Sequence, residues 1–310
     1  MNYRTLADMN QAILHRLHIL PRDFDLIVGI PRSGMFPANL LALYLNRPVT
    51  DLGSFINGHI YQTGARGQFI DVQSYRKILI VDDSIASGAA MQKCKEEVKH
   101  LAAQFDIRYA AIYVIPGKEH LVDYAFDIVP LPRYFQWNIL NHTILEKACM
   151  DIDGVLCVDP TPEENDDGPR YTDFLLHARP LYLPGVKIGT LVSSRLEKYR
   201  GETETWLAAH QVRYNKLVLL DLPDKEARMK AGCHASHKAA EYKAGAYALF
   251  VESSLRQAVE INKLTGKPVL CTENFEMIFD SQSLFYNIKS GQSLPFVRRG
   301  LLKLRNWLRK

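Results

Sequence analysis

Short apolar runs of strand length alternate along this chain with stretches of helical spacing. The apolar runs fall at residues 25–30, 77–81, 108–115, 148–156, 187–192, 216–220, 248–251 and 267–271. Helical patterns lie between many of them, at 89–104, 202–210 and 254–263. Near-continuous apolar runs suit strands buried on both faces, and their alternation with helices predicts an α/β chain built on mainly parallel sheets. In such sheets ligands sit beyond the carboxyl ends of the strands. The polar clusters "GIPRSG", "VDDSIASG", "DIDG", "VSSR" and "VESS" all fall at run ends of this kind. The stretch "FQWNILNHTILEK" separates one strand series from the next. It places a boundary near residue 145, giving units at 1–145 and 146–290 and a tail at 291–310.

Composition narrows the class. A chain of 310 residues is long enough for two cores, and 47% hydrophobic with 23% charged residues is ordinary for a globular protein. No run approaches the ~20 apolar residues of a membrane span. The N-terminal "MNYRTLADMNQAILHRL" is amphipathic and lacks the apolar centre of a signal peptide. Five scattered cysteines fit reduced thiols, so a cytoplasmic location is expected. The net charge is +4, but the last sixteen residues hold six Lys or Arg and no acid, leaving 32 basic against 34 acidic residues elsewhere. A body that is not basic argues against a nucleic-acid partner.

Residues 77–91, "KILIVDDSIASGAAM", run from an apolar strand into two adjacent acids and then into small residues ahead of a helix. Backbone amides at a helix N-terminus bind anions, and Gly88 lets the chain turn tightly against a phosphate. Ser84 and Ser87 offer hydroxyls, and Asp82 and Asp83 can accept from sugar hydroxyls. The combination suits a ribose 5-phosphate. The stretch resembles the phosphoribosyl pyrophosphate signature of type I phosphoribosyltransferases. "LIVGIPRSGMFPANLLA" upstream is similar to that family's pyrophosphate loop. The resemblance implies that Asp82 and Asp83 hold the ribose hydroxyls while Ser84, Ala86, Ser87 and Gly88 wrap the 5-phosphate. It also implies that Arg32, Ser33 and Gly34 meet the pyrophosphate. In the family a loop precedes the signature strand; here it would span 57–76, with Arg66 closing over pyrophosphate. Displacement at the anomeric carbon, with pyrophosphate leaving under Mg2+ and Arg32, is the implied chemistry.

A second pair, Asp151 and Asp153, lies two apart in "ACMDIDGVLC", where an ideal strand would put both on one face before Gly154 breaks it. "CMDIDGVLCVD" resembles the first signature of haloacid-dehalogenase-type phosphatases. "IGTLVSSR", a lysine before the next strand, and "LFVESS" follow in the family's order. The resemblance implies that Asp151 attacks phosphorus and that Asp153 protonates the leaving group and then activates water. Ser193 and Lys238, with Lys243 as the alternative, would neutralise the phosphoryl oxygens. Mg2+ would be held by Asp151, the backbone carbonyl of Asp153, and Glu252. Where many family members carry two acids, this chain has Glu252-Ser253, which bears on turnover more than on fold. The polar insertion at 159–185 is expected to be a loop-rich lid. The expected function is therefore a bifunctional phosphoribosyltransferase and phosphatase acting on small molecules: phosphoribosyl pyrophosphate and a base or ribotide. A nucleotide-binding sensor is the alternative.

"GCHASH" at 232–237 has poor spacing for zinc and reads as a turn before a helix. Cys149 and Cys157 read as core residues, and Tyr61, Phe135 and Trp137, the candidate aromatics for a base-binding hood, as core or interface. The tail places Val297, Leu301, Leu304, Trp307 and Leu308 on one helical stripe with basic residues around it. Such a basic amphipathic helix suits an anionic membrane surface, the protein's own body or a partner. A homo-oligomer is compatible with this reading.

Overall fold

The computed structural model describes residues 1–61 and 75–280. The basic tail and Arg66 lie outside the described residues. The chain divides into two compact units, Met1–Trp137 and Asn138–Lys310.

Unit 1 is a five-stranded, wholly parallel sheet. Its strands are β2 (Leu26–Gly29), β3 (Val49–Asp51), β4 (Lys77–Ile85), β5 (Asp106–Val114) and β6 (Tyr124–Ile128), in the order β3-β2-β4-β5-β6. A separate parallel pair joins β1 (Asn2–Arg4) to β7 (Arg133–Phe135). The central strands are buried on both faces, which is why they read as unbroken apolar runs. Their side chains alternate between two cores. Ile27, Leu79 and Val81 pack with Met9 and Ile13 of α1 (Leu6–Arg16) and Ala38 and Leu41 of α2 (Met35–Leu45). Leu26, Val28, Ile78 and Ile80 pack with Leu52 and Phe55 of α3 (Leu52–Ile56) and Met91, Cys94 and Val98 of α4 (Ala89–Val98). Thr5 opens α1 with a reciprocal capping box to Asp8, a sequence signal for that start. The chain turns one way from β2 to β3 and the other way from β4 onward, so the strand order reverses between β2 and β4.

Unit 2 holds a six-stranded sheet. Its strands are β8 (Ala148–Met150), β9 (Ile188–Leu196), β10 (Tyr214–Leu220), β11 (Leu249–Glu252), β12 (Val269–Cys271) and β13 (Glu276–Ile278). The order is β10-β9-β8-β11-β12-β13, parallel except for the antiparallel edge strand β13. The order reverses at β8. Two helices, α8 (His234–Ala244) and α9 (Leu255–Thr265), cover one face through Ala235, Ala239, Tyr242, Ala258, Val259 and Ile261. Ser254 caps α9 by accepting from the Gln257 amide.

Several extents differ from the sequence reading. The helical stretch at 89–104 stops as α-helix at Val98 and tightens to a 3-10 turn over Lys99–Leu101. The run at 148–156 is strand only to Met150, because Asp151 to Gly154 turn away from the sheet. The segment at 159–185 is not simply loop-rich. It carries α5 (Pro169–His177), started by a proline in the first turn and buried through Tyr171, Phe174 and Leu175. That helix packs on α6 (Arg200–Ala209), whose Trp206 donates from Nε1 to the Ala178 carbonyl at 2.8 Å. The short apolar spacing of α5 is masked in sequence by the acids and prolines around it. Of the five free cysteines, Cys94, Cys149, Cys157 and Cys271 are buried. Among the described residues, no helix is long and apolar enough to cross a membrane.

Candidate functional site

In unit 1 the polar residues gather where the strand order reverses. β4 does not end at the acids: it runs on to Ile85, so Asp82 and Asp83 are strand residues on opposite faces. Both are buried. Asp82 accepts from the Asp83 amide at 2.9 Å. Burial first, and the neighbouring Asp83 carboxylate second, push its carboxyl up to about 7. Asp83 is engaged at both oxygens, accepting from Ser33 Oγ at 2.8 Å and from Trp137 Nε1 at 2.8 Å. The Ser33 contact fixes the loop after β2 against the end of β4. Gly34 makes that approach feasible, since a Cβ there would lie 2.5 Å from the Ile30 carbonyl oxygen and 2.8 Å from that of Val81.

Within β4, Ser84 pairs in register with Tyr113, and beyond the strand Ala86 and Ser87 are exposed. Gly88 adopts a left-handed φ of 88° and leads into α4, with its would-be Cβ 2.5 Å from Leu121 Cδ1. The Ser87 hydroxyl accepts from the Ala89 amide. Arg32 is exposed and forms no ion pair among the described residues. It borders a cavity of about 500 Å3 with Asn10, Met35, Phe36 and Leu43.

Of two further residues at this site, Trp137 was a candidate aromatic read as core or interface, and Arg133 was not singled out from the sequence. Trp137 stacks on Phe135, with centroids 4.7 Å apart, while its indole nitrogen holds Asp83. Arg133 is buried, donates to the Tyr113 carbonyl at 3.1 Å and lies over the Phe135 ring. Burial depresses its pKa, and Asp83 and Asp82 oppose that shift. The signal was the spacing of Arg133, Phe135 and Trp137, a cation and two aromatics on one face of an extended segment.

In unit 2 the polar residues converge beyond β8, β9 and β11. Asp151 leaves β8, and its Oδ1 accepts from the Ile152 amide. Lys238, on the second turn of α8 and 2% exposed, donates to Asp151 Oδ2 at 2.5 Å and to Glu252 Oε2 at 2.7 Å. Gln257 gives it a third acceptor at 3.1 Å. Lys243, the alternative lysine, is exposed. Burial pushes the Asp151 carboxyl up to about 7 against the pull of Lys238, with Glu252 and Asp153 adding to the rise. Burial opposes the charge on Lys238, but the two carboxylates more than offset it, and its pKa is raised.

Asp153 turns a different way from Asp151. Its carboxylate accepts from Arg195 Nη2 at 2.6 Å and from Arg195 Nε at 3.1 and 3.2 Å. The guanidinium is buried and also reaches Thr203 Oγ1 and Cys157 Sγ. Cys157 therefore does more than fill the core, since its thiol touches the Asp153–Arg195 pair. Ser193 is buried on β9, its Oγ accepting from the Arg195 amide at 3.2 Å. Glu252 Oε1 accepts from the Ser254 amide at 3.0 Å, and Ser253 Oγ leans on the Asp153 carbonyl at 3.4 Å. Gly154, at φ 72°, is required here because a Cβ would meet Ser253 Oγ at 2.4 Å.

With the Asp153 side chain committed to Arg195, any metal would rely on Asp151, Glu252 and the Asp153 carbonyl. Among the described residues no three His, Cys, Asp or Glu side chains form a metal-binding group, and this includes "GCHASH". The donor set nevertheless fits a hard cation. Two buried carboxylates share one lysine, so their formal charge of −2 exceeds its +1.

Comparison with known proteins bears on unit 1. The family model described as the phosphoribosyl transferase domain matches residues 5–140. The chain is 28% identical over 86 residues to the transcriptional regulator GfcR of Methanocaldococcus jannaschii, covering 26% of this chain and 40% of that protein. It is 21% identical over 140 residues to the orotate phosphoribosyltransferase of Staphylothermus marinus, covering 45% and 64%. It thus spans less than two thirds of either curated relative. A crystal structure of a purine phosphoribosyltransferase from Pyrococcus horikoshii is 26% identical, with 44% of this chain and 92% of that chain covered and a TM-score of 0.32. The stretch matched by the family model takes in the loop after β2, the paired acids of β4 and Trp137, so residues 5–140 are similar to a phosphoribosyltransferase domain.

Proposed function

We propose that the chain is a two-site enzyme. Unit 1 transfers ribose 5-phosphate between phosphoribosyl pyrophosphate and a base, and unit 2 is a haloacid-dehalogenase-type phosphatase that hydrolyses a phosphomonoester. The observation that carries the second half is Lys238 bridging Asp151 and Glu252 beside an Asp153 held by Arg195.

In unit 1 the Ser84–Gly88 turn and the first amides of α4 receive the 5-phosphate, and Asp82 accepts from the ribose hydroxyls. Arg32 offers charge-assisted hydrogen bonds to the leaving pyrophosphate, whose magnesium complex is the expected substrate form.

In unit 2 the Asp151 carboxylate attacks phosphorus as the bond to the ester oxygen breaks. Asp153 gives its proton to that oxygen, and the alcohol departs. Asp153 then takes a proton from water, which attacks the aspartyl phosphate and returns Asp151 and phosphate. Arg195 sets the direction of the Asp153 carboxyl throughout. Lys238 and Ser193 offset the phosphoryl charge. Mg2+, held by Asp151, Glu252 and the Asp153 carbonyl, would supply the remaining positive charge.

Purified protein with Mg2+ should release phosphate from a panel of ribose and nucleotide monoesters. Asp151→Asn should abolish release, and mass spectrometry should find phosphate on Asp151 in trapped wild-type protein. Phosphate release that survives Asp151→Asn would sink this assignment.

A second reading of unit 1 has its own support. Both carboxylate oxygens of Asp83 already accept a hydrogen bond, from Ser33 and Trp137, which leaves that acid less acceptor capacity for a ribose diol. A domain that binds phosphoribosyl pyrophosphate or a nucleotide without turnover would tolerate this, and one matched relative is named a transcriptional regulator. Tight binding of phosphoribosyl pyrophosphate with no pyrophosphate released, across all common bases, would favour the sensor over the transferase.

A further inference from the structure

Arg228 is a buried cation of unit 2 that has no acid beside it. It lies on α7 (Lys225–Ala231) and is 9% exposed. Its Nη1 donates to the Ser194 carbonyl at 3.3 Å, and its Nη2 to Asn165 Oδ1 at 3.2 Å. The Tyr171 phenol is a third neutral neighbour. Among the described residues no carboxylate pairs with it. The nearby acids are committed elsewhere. Asp167 accepts from Lys198, Tyr199 and the Lys225 amide, and Asp224 accepts from the Ala227 amide at the start of α7. Among the described residues the other buried cations of this unit, Arg195 and Lys238, each hold a carboxylate. A guanidinium taken out of water without a countercharge is unfavourable, and its five N–H donors exceed the neutral acceptors around it. The surroundings add positive potential. α8 begins at His234, and no side chain caps its first amides. Such a helix start presents free N–H groups and the positive end of the dipole. Burial first, then the charges of Arg228, Lys238 and Arg256, hold the His234 imidazole below its usual range. Three cations therefore converge on the first residue of α8, opposed by Glu252, which is already bound to Lys238. α8 packs on β9, and there the Ser194 hydroxyl is buried with no hydrogen-bond partner among the described residues.

We infer that Arg228, the free amides that open α8 and the Ser194 hydroxyl form a second anion site in unit 2, one that takes a phosphate or carboxylate group. The planar guanidinium fork suits both groups, and the helix start adds donors aimed at the same charge. The site is separate from the one that Lys238 serves. His234 stands a full turn before Lys238, about 6 Å along the helix axis at ~1.5 Å per residue. None of Asp151, Asp153, Ser193, Lys238 and Glu252 belongs to it. The site itself does not depend on the phosphatase reading of unit 2. The substrate class does: with that reading, the preferred ester is one whose alcohol carries a second anionic group, so that one molecule spans both sites. The other source of the same chemistry is a separate free anion, and the test tells the two apart.

The probes are phosphonates, whose carbon–phosphorus bond this chemistry leaves intact, so the full-length wild-type protein serves. Calorimetry with excess Mg2+ compares propylphosphonate, propane-1,3-bisphosphonate and sulfate. The bisphosphonate should bind at least about tenfold more tightly than propylphosphonate, a factor worth about 1.4 kcal/mol. Arg228→Gln should erase that ratio, and Arg228→Lys, which keeps the charge, should retain part of it. Equal affinity for the two phosphonates, together with sulfate binding that Arg228→Gln abolishes, identifies a separate anion as the occupant. Hydrogen exchange on wild type needs no variant: the bisphosphonate or sulfate should slow exchange at the amides of residues 234–236. Unchanged exchange there with both ligands, or affinities that ignore residue 228, overturns the second site. Phosphate release from simple monoesters is scored separately. Release without any dependence of binding on residue 228 removes the second site and leaves the phosphatase. Binding that needs Arg228, with no release from any ester, removes the phosphatase and leaves the anion site.

Discussion

Replacing Asp82 by asparagine should make unit 1 more stable while ending its capacity to grip a ribose. The carboxyl is buried next to Asp83, and its pKa rises from 3.8 to about 7. A carboxyl whose folded pKa lies above its unfolded value binds more protons folded than unfolded, so stability falls as pH climbs between the two values. At about 1.36 kcal/mol per pKa unit, the ionised group costs at most about 4 kcal/mol near pH 8, and about 2–3 kcal/mol of that develops between about pH 5 and pH 8. Asparagine keeps an oxygen for the Asp83 amide, which now binds Asp82 at 2.9 Å, and carries no charge. Near pH 8 the variant should therefore gain up to those few kcal/mol, a rise of up to about 10 °C in the melting of a unit this size. Scanning calorimetry of the full chain at several pH values between about 5 and 8 reads this directly. The wild-type transition of unit 1 should fall with pH and the Asp82→Asn transition should not. A wild-type transition flat across that range, or a variant that melts lower than wild type near pH 8, refutes the reasoning.

Three further outcomes are expected from contacts in the two units. Lys238→Met leaves Asp151 and Glu252 buried together without a cation, so unit 2 should lose about 3–5 kcal/mol in urea unfolding, and a loss under about 1 would contradict the buried trio. Asp153→Asn removes the proton donor and unpairs Arg195. Its kcat on alkyl phosphates should drop about 100- to 10,000-fold but far less on p-nitrophenyl phosphate, whose leaving group needs no proton; equal losses on both would argue against that role. Gly34→Ala forces a Cβ to 2.5 Å from the Ile30 carbonyl. It should cost roughly 1–3 kcal/mol of stability and weaken phosphoribosyl pyrophosphate binding, whereas an unaffected dissociation constant would show that the Ser33 loop does not hold the ligand.

The alternation of apolar runs and helical spacings was enough to read both parallel sheets, because strands buried on both faces must be apolar throughout. It missed β1, β3, β7 and β13, each of three residues, since so short a segment carries no usable period, and it missed the five-residue β6, an edge strand only partly buried and so not a continuous apolar run. It placed Asp82 and Asp83 past the strand end, although β4 continues to Ile85. Charge there reads as a terminus, yet a strand can run on when its backbone still pairs, as Ser84 does with Tyr113. Asp151, Asp153, Ser193, Lys238 and Glu252 were legible as an ordered set along the chain. Their pairing was not: nothing in the order says that Arg195, rather than a metal, takes the Asp153 side chain.

The amino-acid sequence by itself determined which residues could do chemistry and near which strand ends they would stand, because local periodicity marks out the strands and short motifs mark the turns after them. Tertiary structure alone decided the partnership of those residues. Trp137 reaches Asp83 from 54 positions away and Lys238 reaches Asp151 from 87. Contacts of that span are fixed by strand order and by helices laid across the sheet, and no local pattern encodes them.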